Sequence, residues 1–450
     1  MLKKIFSYGF VEGFAKGLNK LTLLALPLLL STTDYGKIGL LVAIELMIPV
    51  ITLLGFERAI LRFYANEKDY TGFKKTIFSS VLYVHIAFLV LVGAIYLLGF
   101  KSFSGLDVFP DVFFIILLIY FQGTNLLHLN MLRVSEDHNR YFKARIIIQI
   151  LRVGLILLCV YVTDSYLGYI IGAIIAALIS NVFFSANAKS KEIDKEVFDK
   201  KTFKTLFAFS WPFIFHGVAG SLLGNADKFI LENYLSLSEV GLYTLAYSIG
   251  SMMIFAYVGI SVFMEPMIYK QTDVEKRDLL LYKYLFMAIG MGTVAFFAIS
   301  LSSIYLMPYF YDAKYNEVIK YIPFIAMSFL IYPFYLKSNY KMIFEKKTLN
   351  IAMISVISSI VNIGLNFYFI PKYGIYAAVF TTLGSYVIQA MMFVLMSNKF
   401  KINKDFFEVL SVGLILSSCF YFKLEYYYVS IGIVLFLLYL YFSYIKKIVK

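Results

Sequence analysis

The sequence predicts an all-α fold: a polytopic helical membrane protein of about fourteen transmembrane helices, with two six-helix pseudo-symmetric lobes around a central cavity and two further C-terminal helices. Three observations predict it. The composition is strongly apolar and cut into spans of membrane length, Lys and Arg crowd the loops of one side, and one turn is written twice, 205 positions apart.

Of the 450 residues, 60% are hydrophobic and 15% charged. A soluble domain carries about 25% charge, so water is not the solvent for most of this surface. Apolar runs of about 20 residues recur, each long enough to cross about 30 Å of hydrocarbon as a helix. Lipid offers backbone groups no water partner, which leaves helices or a closed barrel. Barrel strands alternate polar and apolar over about ten residues, and runs such as IFSSVLYVHIAFLVLVGAIYLLGF do not.

The expected spans are 5–30, 38–57, 76–99, 110–132, 145–163, 167–187, 206–234, 241–269, 284–306, 320–338, 351–370, 374–397, 407–422 and 427–445. The first is too long for a cleavable signal peptide, carries Glu12, Lys16 and Lys20, and is followed by no small-residue cleavage site. Cys159 and Cys419 both fall inside spans, which argues against a disulfide framework, and no metal-ligand spacing exists. His85, His128 and His216 lie on spans and His138 in a loop, none with a second ligand at metal spacing, so core or interface roles are expected. No nucleophile motif or phosphate loop is present, so neither a catalytic centre nor a bound cofactor is expected.

The net charge of +13 would suit a nucleic-acid binder, but its placement points elsewhere. Of the 41 Lys and Arg, 31 fall in alternate connecting segments and only six (Lys37, Lys101, Lys314, Lys320, Lys372 and Lys423) in the segments between. The positive-inside rule makes the rich side cytoplasmic. Both termini are then on the cytoplasmic side, where anionic lipid attracts the basic loops. Single cysteines at positions 68, 195 and 346 should therefore resist an impermeant thiol reagent in intact cells, while cysteines at 101 and 314 react. The reverse pattern would invert the topology.

LSTTDYGKIGL (Leu30 to Leu40) returns as LSLSEVGLYTL (Leu235 to Leu245), with Ser31 on Ser236, Asp34 on Glu239 and Gly36 on Gly241. LGYIIGAIIAALIS and YGIYAAVFTTLGS open the sixth span of each half at nearly the same separation. Six spans are an even number of crossings, so the halves enter the membrane in one orientation, as parallel repeats. The expected domains are an N-lobe at 1–187, a charged cytoplasmic linker at 188–205, a C-lobe at 206–398 and the added spans in 399–450. Two equivalent lobes in a polytopic protein usually enclose a pathway and rock against each other. The segments on the lysine-poor side are too short for an external catalytic domain.

Charge within the hydrocarbon costs about 2.5–3.5 kcal/mol per Lys, Arg or Asp, so intramembrane charges are the site candidates. Glu12, Lys16 and Lys20 step by four along one helical face, which suggests a stripe facing an aqueous cavity. An internal Glu12–Lys16 pair would not account for Lys20. In the second half Asp227 and Lys228 lie within a turn of the position that the repeat assigns to Lys20. A pairing of Asp227 with a base on another helix is the alternative. Arg152 either joins this cation set or snorkels to a boundary. Glu45 and Glu265 are weaker candidates for coupling or ion pairing, and Glu265, just before Pro266, also suits a helix kink. Gly9, Gly13 and Gly17 form a small-xxx-small ladder for which close helix packing suffices.

GFERAILRFY, ADKFILENYLSLSEVGLYTLAYSIG and FIPKYGIYAAVFTTLGSYV, with the opening SYGF…LPLLLSTTDYGKIGL, resemble the polysaccharide-biosynthesis flippases of bacteria. These belong to the multidrug/oligosaccharidyl-lipid/polysaccharide exporter superfamily. The likeness runs over nearly the whole chain, through turn patterns rather than catalytic signatures. It implies a V-shaped cavity, alternating access, and an undecaprenyl-pyrophosphate-linked oligosaccharide moved to the outer leaflet for surface polysaccharide (O-antigen, lipopolysaccharide or capsule). The implied partners are that lipid-linked cargo, membrane lipids and the polysaccharide polymerase machinery, with no nucleic acid. In the family the Asp227-Lys228 position more often reads Asp-Arg, and Glu57-Arg58 stands where Asp and a small residue are usual, which leaves Arg58 as cavity cation or inside anchor. A pyrophosphate needs fixed cations in a protected, wet cavity, and Lys16, Lys20 and Lys228 supply them, with Arg58 and Arg152 as further substrate-binding candidates. The other readings are a lipid II flippase, a cation-coupled multidrug exporter and, with least support, a membrane glycosyltransferase or polymerase.

Overall fold

The computed structural model describes residues 2–64, 70–135, 137–186 and 198–397. The expected spans 407–422 and 427–445, with the rest of 399–450, and positions 188–197 of the linker lie outside the described residues. Nearly everything described is helix, as the absence of strand alternation requires.

The chain opens with α1 (Leu2–Ala25) and α2 (Thr32–Thr52). Ser31 caps α2 by accepting from the Asp34 N–H at 3.1 Å, the arrangement that spares an orphan donor at a helix start. Leu54 (φ 55°) and Gly55 (φ 67°) then turn left-handed in succession, breaking the chain sharply into the short α3 (Phe56–Phe63). Glycine is required at 55 on two counts: the positive φ, and the Ser210 carbonyl oxygen, 2.9 Å from where a Cβ would lie.

Helices α4 (Tyr70–Leu97), α5 (Phe113–Val134), α6 (His138–Thr163), α7 (Leu167–Ala186) and α8 (Lys200–Tyr234) follow. A two-stranded hairpin, Ser102–Phe103 with Leu106–Asp107, lies between α4 and α5. Beyond α8 come α9 (Leu237–Gly250), a 3-10 turn (Ser251–Met253), α10 (Ile254–Lys270), α11 (Val274–Tyr305) and α12 (Met307–Phe310). A second 3-10 turn (Ala313–Lys320) leads to α13 (Ile322–Leu330), α14 (Tyr332–Phe344), α15 (Thr348–Tyr373) and α16 (Ile375–Ser397).

Among the described residues, eleven helical segments are long and apolar enough to cross a membrane. They correspond to the expected spans from the second to the twelfth. The first expected span forms α1.

The described helices group into two compact units, one within residues 25–241 and one within 2–24 and 242–397. These units do not coincide with the sequence repeats. The first helix of each repeat, α1 or α8, is grouped with the helices of the other repeat.

In the 25–241 unit, α6 packs along α7, α5 along α7, and α2 against α8 and α5. Phe56, Ile60, Ile77 and Leu127 form part of its core and are fully buried. In the other unit, α15 pairs with α16 and α10 with α11, while α13 touches both α11 and α16. Every residue of α13 is buried, which makes it the central helix of that unit.

The repeated turn has a structural reason, and it lies within the 25–241 unit. A Cβ on Gly36 would fall 1.9 Å from the Leu237 carbonyl oxygen, and one on Gly241 would fall 2.1 Å from that of Thr32. Thr32 and Leu237 are themselves related by the 205-residue repeat. The two turns therefore pack on each other in the reciprocal, self-complementary manner of a two-fold contact.

The glycine ladder of α1 behaves differently. A Cβ at Gly13 or Gly17 would meet nothing within 4 Å, so close packing does not explain these two glycines. The motif permits close approach, but here no neighbouring backbone comes near either position.

Candidate functional site

Each unit holds its own set of intramembrane polar groups. In the unit containing α1, Glu12 and Lys20 are half-buried and Lys16 is exposed. Lys20 donates from Nζ to Ser251 Oγ at 2.8 Å, and Ser251 donates in turn to the Ser248 carbonyl at 3.3 Å. Ser251 begins the 3-10 turn between α9 and α10. The helix tightens there into one 3-10 turn while Leu237–Lys270 continues as a single membrane-length helical segment. The sequence reading found Lys20 but missed Ser251, whose only signal is a hydroxyl beside Gly250 in an otherwise apolar run.

Glu265 is half-buried on α10, inside a helix that continues through Pro266. Elsewhere in this unit, α15 and α16 share a buried polar ladder that was not anticipated. Asn366 donates to Asn362 Oδ1 at 3.0 Å, and Asn362 to Ser385 Oγ at 3.1 Å. Thr381 donates to Asn366 Oδ1. The signal was present as two asparagines spaced i,i+4 in NIGLN, but no charge drew attention to it.

In the 25–241 unit, α8 buries both Asp227 and Lys228, at 1% and 4% exposure. Lys228 Nζ donates to Asn225 Oδ1 at 3.2 Å, and the Lys228 N–H donates to Asp227 Oδ1 at 2.9 Å. Asn225 occupies the position that the repeat assigns to Lys20. The polar character of that position is kept while its charge moves three residues along.

Arg152 does not snorkel. Its Nη2 lies 2.5 Å from Glu45 Oε1, and Tyr169 donates to Glu45 Oε2 at 2.7 Å. With its amide suitably oriented, Gln122 donates to Glu45 Oε1 and accepts from Arg152 Nη1, both at 3.0 Å. Four helices, α2, α5, α6 and α7, thus each contribute one residue to a single network. Burying an ion pair demands that its remaining lone pairs and protons be matched; Tyr169 and Gln122 match most of them, and the Arg152 Nε–H has no hydrogen-bond partner among the described residues. Sequence reasoning named the two charges but not each other, because the pair is 107 positions apart.

Arg58 is exposed on α3, with its guanidinium 5.9 Å from the centre of the Phe213 ring. Beside it, burial pushes the Glu57 carboxyl above the usual carboxylate range, against the lowering influence of Arg58. No cluster of metal-ligating side chains occurs among the described residues.

A family model described as "Polysaccharide biosynthesis protein" matches residues 1–270. No curated protein sequence matches the chain. Among solved structures, the lipid II flippase MurJ in an inward closed conformation is similar with a TM-score of 0.70 and 16% identity, over 97% of this chain and 99% of that one. An outward-facing multidrug resistance MATE family transporter of the MOP superfamily is similar with a TM-score of 0.59 and 12% identity, over 90% and 96%. A MOP superfamily transporter from Pyrococcus furiosus, described as having a binding pocket of reverse polarity, gives 0.55 and 13% over 93% and 96%. At these identities the likeness is one of fold.

Proposed function

Because the chain belongs to the polysaccharide biosynthesis protein family, we propose that it is a flippase for undecaprenyl-pyrophosphate-linked oligosaccharide repeat units. It works by alternating access across the bacterial cytoplasmic membrane, with both termini in the cytoplasm, and serves surface polysaccharide synthesis. The observation that carries this reading is Lys20, half-buried in α1 and held by Ser251 at a 3-10 turn. A pyrophosphate is recognised by charge-assisted hydrogen bonds, and a lysine already held in place by a hydroxyl offers one with little reorganisation. Lys16 extends the cationic stripe one turn along α1. Lys228 and Asn225 supply a second held cation, on α8, with an amide in place of the hydroxyl. The polyprenyl tail stays in lipid and asks nothing polar of the protein. The chemistry is capture and release, with no bond made or broken.

Arg152 has a different part. Its charge is balanced by Glu45, so it fixes the helices that surround the pathway and leaves capture to the lysines.

The test is complementation of a flippase-deficient strain, with membrane levels of each variant quantified in parallel. Lys20→Ala and Lys228→Ala should reach wild-type levels yet lose surface glycan, because an alanine costs the membrane less than a lysine. Lys20→Arg should retain part of it. Full glycan display by Lys16→Ala, Lys20→Ala and Lys228→Ala alike would overturn the cationic site. Rescue of a strain lacking its lipid II flippase, without rescue of surface glycan, would move the cargo to lipid II.

A further inference from the structure

We propose that the lysine-rich end of the α11–α14 seam binds the headgroup of an anionic phospholipid, with the Arg277 guanidinium on its phosphate and Lys337 and Lys341 beside it. The inference is independent of the cargo assigned above.

The two helices pack against each other and run antiparallel. At the start of α11 the Arg277 guanidinium lies 3.8 Å from the centre of the Phe344 ring, at the end of α14. Further along, Lys337 Nζ lies 4.0 Å from the centre of the Tyr282 ring. Lys337, Lys341 and Phe344 are spaced i, i+4 and i+7, so they share one face of α14. Arg277 and Lys337 are buried, at 5% and 7% exposure, and Lys341 is half-buried.

Arg277 is the anomaly. A guanidinium offers a planar fork of N–H donors, yet here its Nε–H is buried with no acceptor. Among the described residues no carboxylate pairs with it. Asp278, the next residue, does not do so, and its own Oδ1 is buried without a partner. The Phe344 ring attracts the charge but does not accept its N–H groups as an oxygen would. A buried charge is ordinarily both paired and hydrogen-bonded, because leaving water is otherwise too costly. A small anion rich in oxygen acceptors meets both demands at once. Phosphate is such an anion, and a guanidinium fork fits it with two parallel hydrogen bonds.

Depth identifies what carries the phosphate. Helix α11 has 32 residues, which makes it about 48 Å long against about 30 Å of hydrocarbon. Its ends therefore stand in the headgroup layers, and Arg277 is only the fourth residue from its start. Phe344 is the last residue of α14, so the stack sits at the same level on both helices. This end belongs to the lysine-rich segments of the sequence, and basic pockets between helices on the cytoplasmic side of membranes hold anionic headgroups. Arg277, Lys337 and Lys341 together outweigh Asp278, which favours a lipid of net negative charge over a zwitterion.

The experiment uses the purified full chain, delipidated in detergent and offered phosphatidylglycerol, phosphatidylethanolamine or inorganic phosphate. Native mass spectrometry counts bound lipid, and Tm is measured alongside. Phosphatidylglycerol should stay bound and raise Tm by mass action, and the other two should not. Arg277→Met, of similar length, should weaken phosphatidylglycerol binding roughly tenfold, the loss of one charge-assisted contact. Arg277→Lys should recover part of it, since the charge returns without the fork. Lys341→Gln should weaken binding roughly fivefold, the worth of one lysine near an anionic headgroup, and carries the test if Arg277→Met does not accumulate. Lys372→Met, on the lysine-poor side, should leave binding unchanged. Equal phosphatidylglycerol binding by wild type, Arg277→Met and Lys341→Gln would make the Phe344 stack purely structural and overturn the site. Equal retention of phosphatidylethanolamine would overturn the anionic preference, and full protection by inorganic phosphate would overturn the lipid assignment. None of these readouts depends on transport, so loss of the cargo assignment would leave the lipid site standing.

Discussion

Replacing Arg152 with methionine lowers the unfolding free energy by about 3 kcal/mol, because removing one partner of a buried ion pair strands the other. Glu45 lies on α2 and retains 11% side-chain exposure, and Arg152 on α6 retains 17%, so neither charge is readily taken up by solvent. The loss is not confined to one contact. Gln122 and Tyr169 are oriented by the pair and would also lose partners. Glu45→Leu alone should be as damaging, since it leaves a buried guanidinium. The double variant Glu45→Leu/Arg152→Met should recover much of the stability, as matched apolar replacements of buried pairs do. Thermal unfolding of the purified protein in detergent measures all three. Single variants that melt with the wild type would show that the network carries no charge worth balancing.

Gly172→Ala should cost about as much, through packing alone. The missing Cβ would lie 2.5 Å from the Leu155 carbonyl oxygen and 2.7 Å from the Ile156 Cα. Both are backbone atoms of α6 and have no rotamer to give. Gly168, one turn earlier, faces the Cys159 carbonyl oxygen at 2.6 Å, so α6 and α7 approach through two successive glycines in the small-xxx-small manner. An overpacked site of this kind costs about 1–3 kcal/mol and sometimes more. Tyr169, between the two glycines, would be displaced from Glu45 at the same time. Gly364→Ala is the control: nothing lies within 4 Å of its Cβ position, and replacing a helical glycine there should be neutral or favourable by up to about 1 kcal/mol. The monodisperse fraction on size exclusion after a heat step separates the two. Equal survival of Gly172→Ala and Gly364→Ala would refute tight α6–α7 packing.

The grouping of helices bears on both results. The Glu45–Arg152 network and the α6–α7 seam belong to the 25–241 unit, whereas Lys16 and Lys20 belong to the other. Variants of the first kind should fail in folding, and variants of the lysines in function. Measuring protein level and surface glycan together therefore sorts structural residues from cargo-handling ones.

The sequence by itself determined the class of the protein, its spans and its repeat. Span length and apolarity follow from bilayer thickness, and the 205-residue repeat of STTDYG and SLSEVG is visible by inspection. The intramembrane charges were equally legible, because a lysine or arginine in an apolar run stands out. What the sequence could not determine was what each charge meets. Lys20 and Ser251 are 231 positions apart, and Arg152 and Glu45 107. A one-dimensional pattern reports which face a residue is on, not what lies opposite. The glycines make the same point: Gly13 and Gly17 carry the small-xxx-small pattern and meet open space, while Gly168 and Gly172 carry it and meet a backbone. Only the tertiary structure decided between them, because close packing depends on two surfaces and a local sequence pattern describes one.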